Sequence, residues 1–370
     1  MYRFRQLWKF STLQFHKGVS EYQNVSENVV LRGVTIKGRY NDLPNLLFFT
    51  EVCDPVENWI PFFSDPNNKI LDYRNVHILS PRNFGTSDKH YSFDVQDLAN
   101  DVVRYMYYNK ISMATLSGHG FGAKVALAAG CYHPERTTGV FCIDYSPMDQ
   151  RYHESFTEFR GYISKLQQIN TKELTKSQIE QYLKDNIECV KWRSIFSDNL
   201  IKLPSGQWDW KFALKFLHEN VSFNKADSIA FWPVKAGLFT GRAHFAFPEF
   251  SRWVHLGTNT LPMLKVCPQV RGFGHDVHSV QGDNNTLNHW IYEFDNQSFV
   301  FASRFTKFLS MYDGVHLLLK DRTEVGKEFV PSIIYSKKDP NHIYSDYSPA
   351  HYYHNWRFNN VYKNLDTPNK

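Results

Sequence analysis

Cysteine is scarce in this 370-residue chain and unpatterned where it occurs. Cys53, Cys131, Cys142, Cys189 and Cys267 include no C-x-x-C pair. That argues against a disulfide scaffold and a cysteine zinc site, and fits reduced thiols in a cytosolic or organellar matrix compartment. Proline and glycine, 16 and 19 residues, are too few for a disordered or collagen-like chain. No apolar run approaches 18 residues, so no membrane-spanning helix is expected. The net charge is +5, but the only adjacent basic pair is Lys337-Lys338, so no basic stripe follows a phosphate backbone. Nucleic acid is not expected as a primary partner. What the chain does have is aromatic surface: 30 Phe, 21 Tyr and 9 Trp can fill a large core and still leave rings for partners.

Residues 1–26 form a basic arm. Arg3, Arg5, Lys9 and Lys17 precede the first acid, Glu21, and Phe4, Leu7, Trp8 and Phe15 fall near one helical face, the pattern of a mitochondrial presequence. From residue 27 short apolar strands alternate with helices. Val29–Leu31 and Val34–Ile36, Leu46–Phe49, Val76–Leu79, Met113–Leu116 and Val140–Ile143 read as strands, and Phe93–Met106 and Lys124–Gly130 as helices. This rhythm predicts an α/β fold with a mostly parallel central sheet and helices on both faces. Residues 151–227 break it as a helical cap insertion, whose best helices are Thr171–Ile187 and Trp210–Glu219. Residues 27–150 and 228–313 make the core, with strand patterns at Ile229–Thr240 and near Leu264–Val266 and a closing helix at Gln297–Met311. Residues 314–370 form an extension punctuated by Pro331, Pro340 and Pro349.

A strand running into G-x-S-x-G and a small-residue helix is the nucleophile elbow of α/β-hydrolases, where a tight turn exposes a serine hydroxyl. Here the run is Gly118-His119-Gly120-Phe121-Gly122, and the central residue, Gly120, has no atom to attack a carbonyl. The stretch resembles that of the α/β-hydrolase family, and within it the group of the mitochondrial abhydrolase domain-containing protein eleven and its bacterial esterase relatives. Other segments are similar to that group's motifs: Asn58-Trp59, the loop Arg82-Asn83-Phe84-Gly85-Thr86-Ser87, Asp97-Leu98 with Asp101-Val102, the strand end Ile143-Asp144-Tyr145-Ser146-Pro147, Arg193, Phe196 and Asn199 in the insertion, Trp210-Lys211-Phe212, and His289-Trp290-Ile291. The resemblance spans roughly residues 27–311 and implies the α/β-hydrolase fold, with triad positions Gly120, Asp144 and His289, or His275 as an alternative base.

The departures carry the functional expectation. The group begins its oxyanion loop with His-Gly, whereas Thr50-Glu51-Val52 stands here, and a carboxylate at Glu51 would oppose a developing oxyanion. A base without a nucleophile has no catalytic role. Ser117, Cys142 and Ser146 lie off the turn centre and do not replace the serine. His275, His278 and His289 suggest no metal site, and neither metal nor cofactor is expected. Together these predict a pseudoenzyme, not an enzyme: an accessory subunit of a mitochondrial multiprotein complex such as the respiratory chain or ATP synthase, associated with the inner membrane. Its partners would be other subunits, met through Tyr344, Tyr347, Tyr352, Tyr353, Trp356 and Phe358, because rings with polar tips are enriched at interfaces. The alternatives are a non-catalytic binder of a lipid or acyl ligand and a residual serine-type esterase.

Overall fold

A computed structural model describes residues 29–221, 229–233, 236–247, 251–268, 305–309 and 331–336. The chain begins with β1 (Arg32–Ile36), β2 (Asn45–Phe49), a short helix α1 (Ile60–Ser64) and β3 (Asn75–Ser80). Then come α2 (Val95–Tyr108), β4 (Ala114–His119), α3 (Phe121–Tyr132) and β5 (Thr137–Ile143). Helices α4 (Glu154–Leu166), α5 (Lys176–Asn186) and α6 (Val190–Asp198), the hairpin β6 (Leu200–Lys202) and β7 (Trp208–Trp210), and α7 (Leu214–Asn220) follow. They precede β8 (Ala243–Ala246), α8 (Leu256–Val266) and β9 (Ile333–Tyr335).

The sheet runs β8-β5-β4-β2-β3-β1-β9. β2, β3, β4, β5 and β8 pair in parallel, and β1 is antiparallel to both β3 and β9. Strand β2 shows why the sheet is a central layer. Successive strand residues face opposite sides; Leu46 and Phe48 belong to one core cluster and Leu47 and Phe49 to the other, and all four are fully buried. Helix α2 presents Val95, Leu98, Val102 and Met106 on one buried stripe, and the Asp94 carboxylate caps its start by accepting from the Gln96 N–H. Helix α3 is built from small residues and is buried from Phe121 to Gly130. Its close approach to β4 and β2 is what the glycines allow. A Cβ on Gly118 would stand 2.6 Å from the Ala123 nitrogen, and one on Gly122 2.0 Å from the Phe49 carbonyl oxygen.

Several elements differ from expectation. Among the described residues of 229–240 there is no strand; Pro233 and Gly237, which has φ +79°, interrupt it, and β8 forms just beyond. Leu264–Val266 belongs to helix α8, because the short stretch Leu264-Lys265-Val266 does not by itself distinguish strand from helix. Thr171–Ile187 starts as a single 3-10 turn and becomes helical only at Lys176, after a capping box made by Thr175 and Gln178. Trp210 ends a strand, and its helix starts at Leu214. The longest cap helix among the described residues is α4, which buries Phe156, Phe159, Ile163 and Leu166 at helical spacing. Of the C-terminal extension, Ile333–Tyr335 pairs with β1 of the core sheet.

Candidate functional site

Gly120 sits between β4 and α3 with φ +52° and ψ −114°, a backbone conformation that strains any side-chain-bearing residue. Its N–H donates to the Ile143 carbonyl at 2.8 Å, and its own carbonyl accepts from Ala123 and Lys124. The elbow turn is therefore built. Its seat is occupied from across the cleft: a Cβ placed on Gly120 would stand 1.2 Å from Glu51 Oε2 and 2.3 Å from Glu51 Cδ.

Glu51 arrives on the loop that leaves β2. Its Oε2 accepts from the Phe121 N–H at 2.9 Å and its Oε1 from the Val52 N–H at 2.7 Å. Phe121 is the residue after the turn centre and Val52 lies on the loop after β2, so these are the two donors that an α/β-hydrolase aims at an oxyanion. The loop is held from outside. Asn199 Nδ2 donates to the Cys53 carbonyl at 2.6 Å, Asp54 N–H donates to the Glu51 carbonyl at 3.1 Å, and Cys53 takes φ +58°. Burial pushes the Glu51 carboxyl up to about 8; the two backbone donors pull the other way, and Asp54 and Asp144 add to the rise. Burial thus favours the protonated form of Glu51.

Asp54, just behind, accepts from Trp59 Nε1 at 2.6 Å and Asn58 Nδ2 at 2.9 Å, and burial raises it to about 7. This gives the Asn58-Trp59 pair a physical role. The Arg82 loop and the Asp97/Asp101 helix also meet: Arg82 is fully buried and reaches Asp101 with Nε at 2.6 Å and Nη2 at 2.8 Å. His119 packs its ring 5.8 Å from that of Trp59.

Asp144 follows β5 with φ +51°, and its N–H donates to the Ala246 carbonyl at 2.8 Å. Ser251 Oγ donates to its Oδ1, and burial raises the carboxyl to about 6 while that hydrogen bond lowers it. Ser251 lies in a stretch without any motif, and no signal in the sequence singles it out. Glu51, Gly120 and Asp144 line one cleft with about 550 Å³ of empty space including its mouth, walled by Phe156, Phe159, Trp192 and Trp253 from the cap side and beyond. His275, His289 and the aromatics Tyr344, Tyr347, Tyr352, Tyr353, Trp356 and Phe358 lie outside the described residues, as does the basic arm. Ser117 donates to the Phe141 carbonyl at 2.8 Å from within the sheet, and Cys142 is buried with its thiol pushed well up by desolvation. Among the described residues no group of three His, Cys, Asp or Glu side chains is placed to hold a metal ion, and no helix is long and apolar enough to cross a membrane.

No protein-family model matches the sequence. Curated relatives do. Ethanol acetyltransferase 1 of Kluyveromyces marxianus is 37% identical over 75 residues, covering 20% of this chain and 21% of the relative. The protein of the same name from Kluyveromyces lactis is 25% identical over 134 residues, 35% of this chain and 36% of the relative. An abhydrolase domain-containing protein of Schizosaccharomyces pombe is 25% identical over 170 residues, 46% of this chain and 61% of the relative. The matches thus span between about a fifth and three fifths of these relatives' lengths.

The expectation of a catalytically inactive accessory subunit, with its pseudoenzyme and respiratory-chain assignments, is overturned by these relatives, which are named as enzymes. That expectation rested on the missing hydroxyl at Gly120, over which the Glu51 carboxyl stands. Among solved structures, an esterase from a marine microorganism superposes with a TM-score of 0.63 at 19% identity, over 76% of this chain and 100% of its own. An α/β-hydrolase from Novosphingobium aromaticivorans follows at 0.54 and 15%, over 77% and 95%. The chain has the α/β-hydrolase fold.

Proposed function

We propose that the chain is an acyl-transfer enzyme that moves a short acyl group from an ester or thioester to an alcohol or water, with the Glu51 carboxyl working in place of a nucleophilic serine. Within the fold we place it beside the abhydrolase group that its motifs resemble, Gly120 standing where that group has its serine. The single observation that carries the reading is the position of Glu51: a neutral carboxyl seated over the elbow, held by the backbone donors of Val52 and Phe121, at the foot of an apolar cleft. An apolar site that keeps a carboxylic acid protonated turns it into a hydrogen-bond donor. Glu51 then gives its proton to the acyl oxygen as the tetrahedral intermediate forms and takes it back as that intermediate collapses. The two N–H donors share the carboxylate that is left, so the charge developed in the step is held by dipoles already in place. The aromatic walls suit a short uncharged acyl chain and exclude water from it. The name shared by the Kluyveromyces relatives supports acetyl transfer to ethanol as the first reaction to examine. The presequence-like arm supports a mitochondrial location.

The experiment incubates the purified chain with acetyl-CoA or p-nitrophenyl acetate, with and without ethanol, and measures ethyl acetate and acetate. Wild type should turn over, fluorophosphonate should leave it active, and Glu51→Gln should lose about 100-fold or more in kcat. A wild type without turnover on any donor, or a Glu51→Gln variant as active as wild type, would sink the reading.

A further inference from the structure

We propose that Asp144, aimed by Ser251, is the base of this site: its Oδ2 takes the proton of the alcohol or water that attacks the acyl carbon. The inference rests on the reading of Glu51 as the acid.

Its ground is the hydrogen-bond direction at Ser251. The Ser251 hydroxyl oxygen accepts from the Trp253 N–H at 3.0 Å and the Val254 N–H at 2.9 Å. Both lone pairs are engaged, so its one hydrogen has a single remaining use, donation to Asp144 Oδ1. That fixes Oδ1 as an acceptor and leaves Oδ2 as the oxygen that gains or loses a proton. Oδ2 has no hydrogen-bond partner among the described residues, although Asp144 is only 6% exposed. Its lone pairs are therefore open to a ligand in the adjoining space. The space it borders is the cleft shared with Glu51.

The backbone adds to this. Asp144 is held at φ +51° by its hydrogen bond to β8, a conformation uncommon for a residue with a side chain and concentrated at functional sites. Among the described residues, Glu51 from the β2 loop and Tyr145 from the same turn are the other titratable groups lining the cleft. Burial keeps Tyr145 neutral, so Glu51 is the partner in titration.

The step balances. The attacking O–H bond breaks and its proton goes to Asp144 Oδ2 as the oxygen bonds the acyl carbon. The carbonyl π pair moves to the acyl oxygen, which takes the Glu51 proton. On collapse the acyl oxygen returns that proton to Glu51, the bond to the leaving oxygen or sulfur breaks, and Asp144 passes its proton to the leaving group. Two carboxyls whose surroundings hold them at different proton affinities divide the work of base and acid.

The test is the pH profile of kcat/KM on p-nitrophenyl acetate for wild type, Asp144→Asn, Ser251→Ala, Ser251→Thr and Glu51→Gln. Wild type should give a bell, rising through about 6 and falling through about 8, since Asp144 must be ionised and Glu51 protonated. Asp144→Asn should lose about 100-fold in kcat and the rising limb. Ser251→Ala should move the rising limb to higher pH, because the lost donation no longer favours the carboxylate, with KM nearly unchanged; Ser251→Thr should restore it. A purely structural serine would not move that limb. An Asp144→Asn enzyme that keeps its rate, or a rising limb that stays put in Ser251→Ala, overturns the base assignment while Glu51→Gln still loses activity. If Glu51→Gln keeps its rate, the acid reading falls, and this inference with it.

Discussion

The turn at 118–122 and the loop at 50–54 face each other across one cleft, and they have treated the α/β-hydrolase pattern in opposite ways. The turn keeps every steric requirement: Gly118 and Gly122 sit where a Cβ would meet backbone, and Gly120 holds the elbow's strained dihedrals. It offers no reactive atom at its centre. The loop carries Thr50-Glu51, and the Glu51 side chain reaches over to the space above Gly120. The lesson is that a reactive position belongs to a place in space, which either wall can supply. Glu51 can take this position only because residue 120 is a glycine, since a side chain at 120 and the carboxyl of Glu51 would claim the same volume.

The largest effect should come from the turn's geometry. Gly122→Ala would put a methyl 2.0 Å from the Phe49 carbonyl oxygen and 2.6 Å from that of Thr50, both main chain, so α3 and β2 must separate. A loss of about 4 kcal/mol or more, read by chemical denaturation, is expected. An ordinary melt would mean that α3 is free to shift.

Next comes the link between the two walls. Gly120→Ser alone should cost about 2–4 kcal/mol through its clash with Glu51. In the Glu51→Ala background the same change should cost about 1–3 kcal/mol less. Additive costs would show that Glu51 does not occupy the seat.

The smallest effect concerns proton linkage. The folded Glu51 carboxyl holds its proton up to about 8, against an ordinary value of 4.5. Its protonated form therefore stabilises the fold fully below 4.5, and that contribution is lost as pH rises through 8. Glu51→Gln should flatten the fall and melt higher than wild type at pH 9. A wild type whose stability is flat from pH 5 to 9 would contradict the raised carboxyl.

Much of this was legible in the sequence. Leu46–Phe49 reads as a buried strand because all four residues are apolar, and the elbow reads from glycine spacing alone. Arg82 and Asp101 could be picked out as parts of two motifs, although their bidentate pairing appears only in three dimensions. The sequence also exposed Glu51 as a departure. What it could not give was the proton on that side chain, which depends on burial and on two backbone donors that converge from separate segments. Ser251 was invisible for a similar reason: its role depends on a hydroxyl whose hydrogen is directed by two neighbouring N–H groups and a carboxylate 107 positions away.

The most direct measurement is the ionisation of Glu51 itself. Carbon-13 NMR of glutamate-labelled protein, with Glu51→Gln to assign the resonance, follows its carboxyl from pH 4 to 10. A carboxyl that stays protonated at pH 7, titrates near 8 and shifts when an acyl ester fills the cleft is the predicted result. A Glu51 resonance that titrates in the ordinary range near 4.5 and ignores the ester would contradict the account.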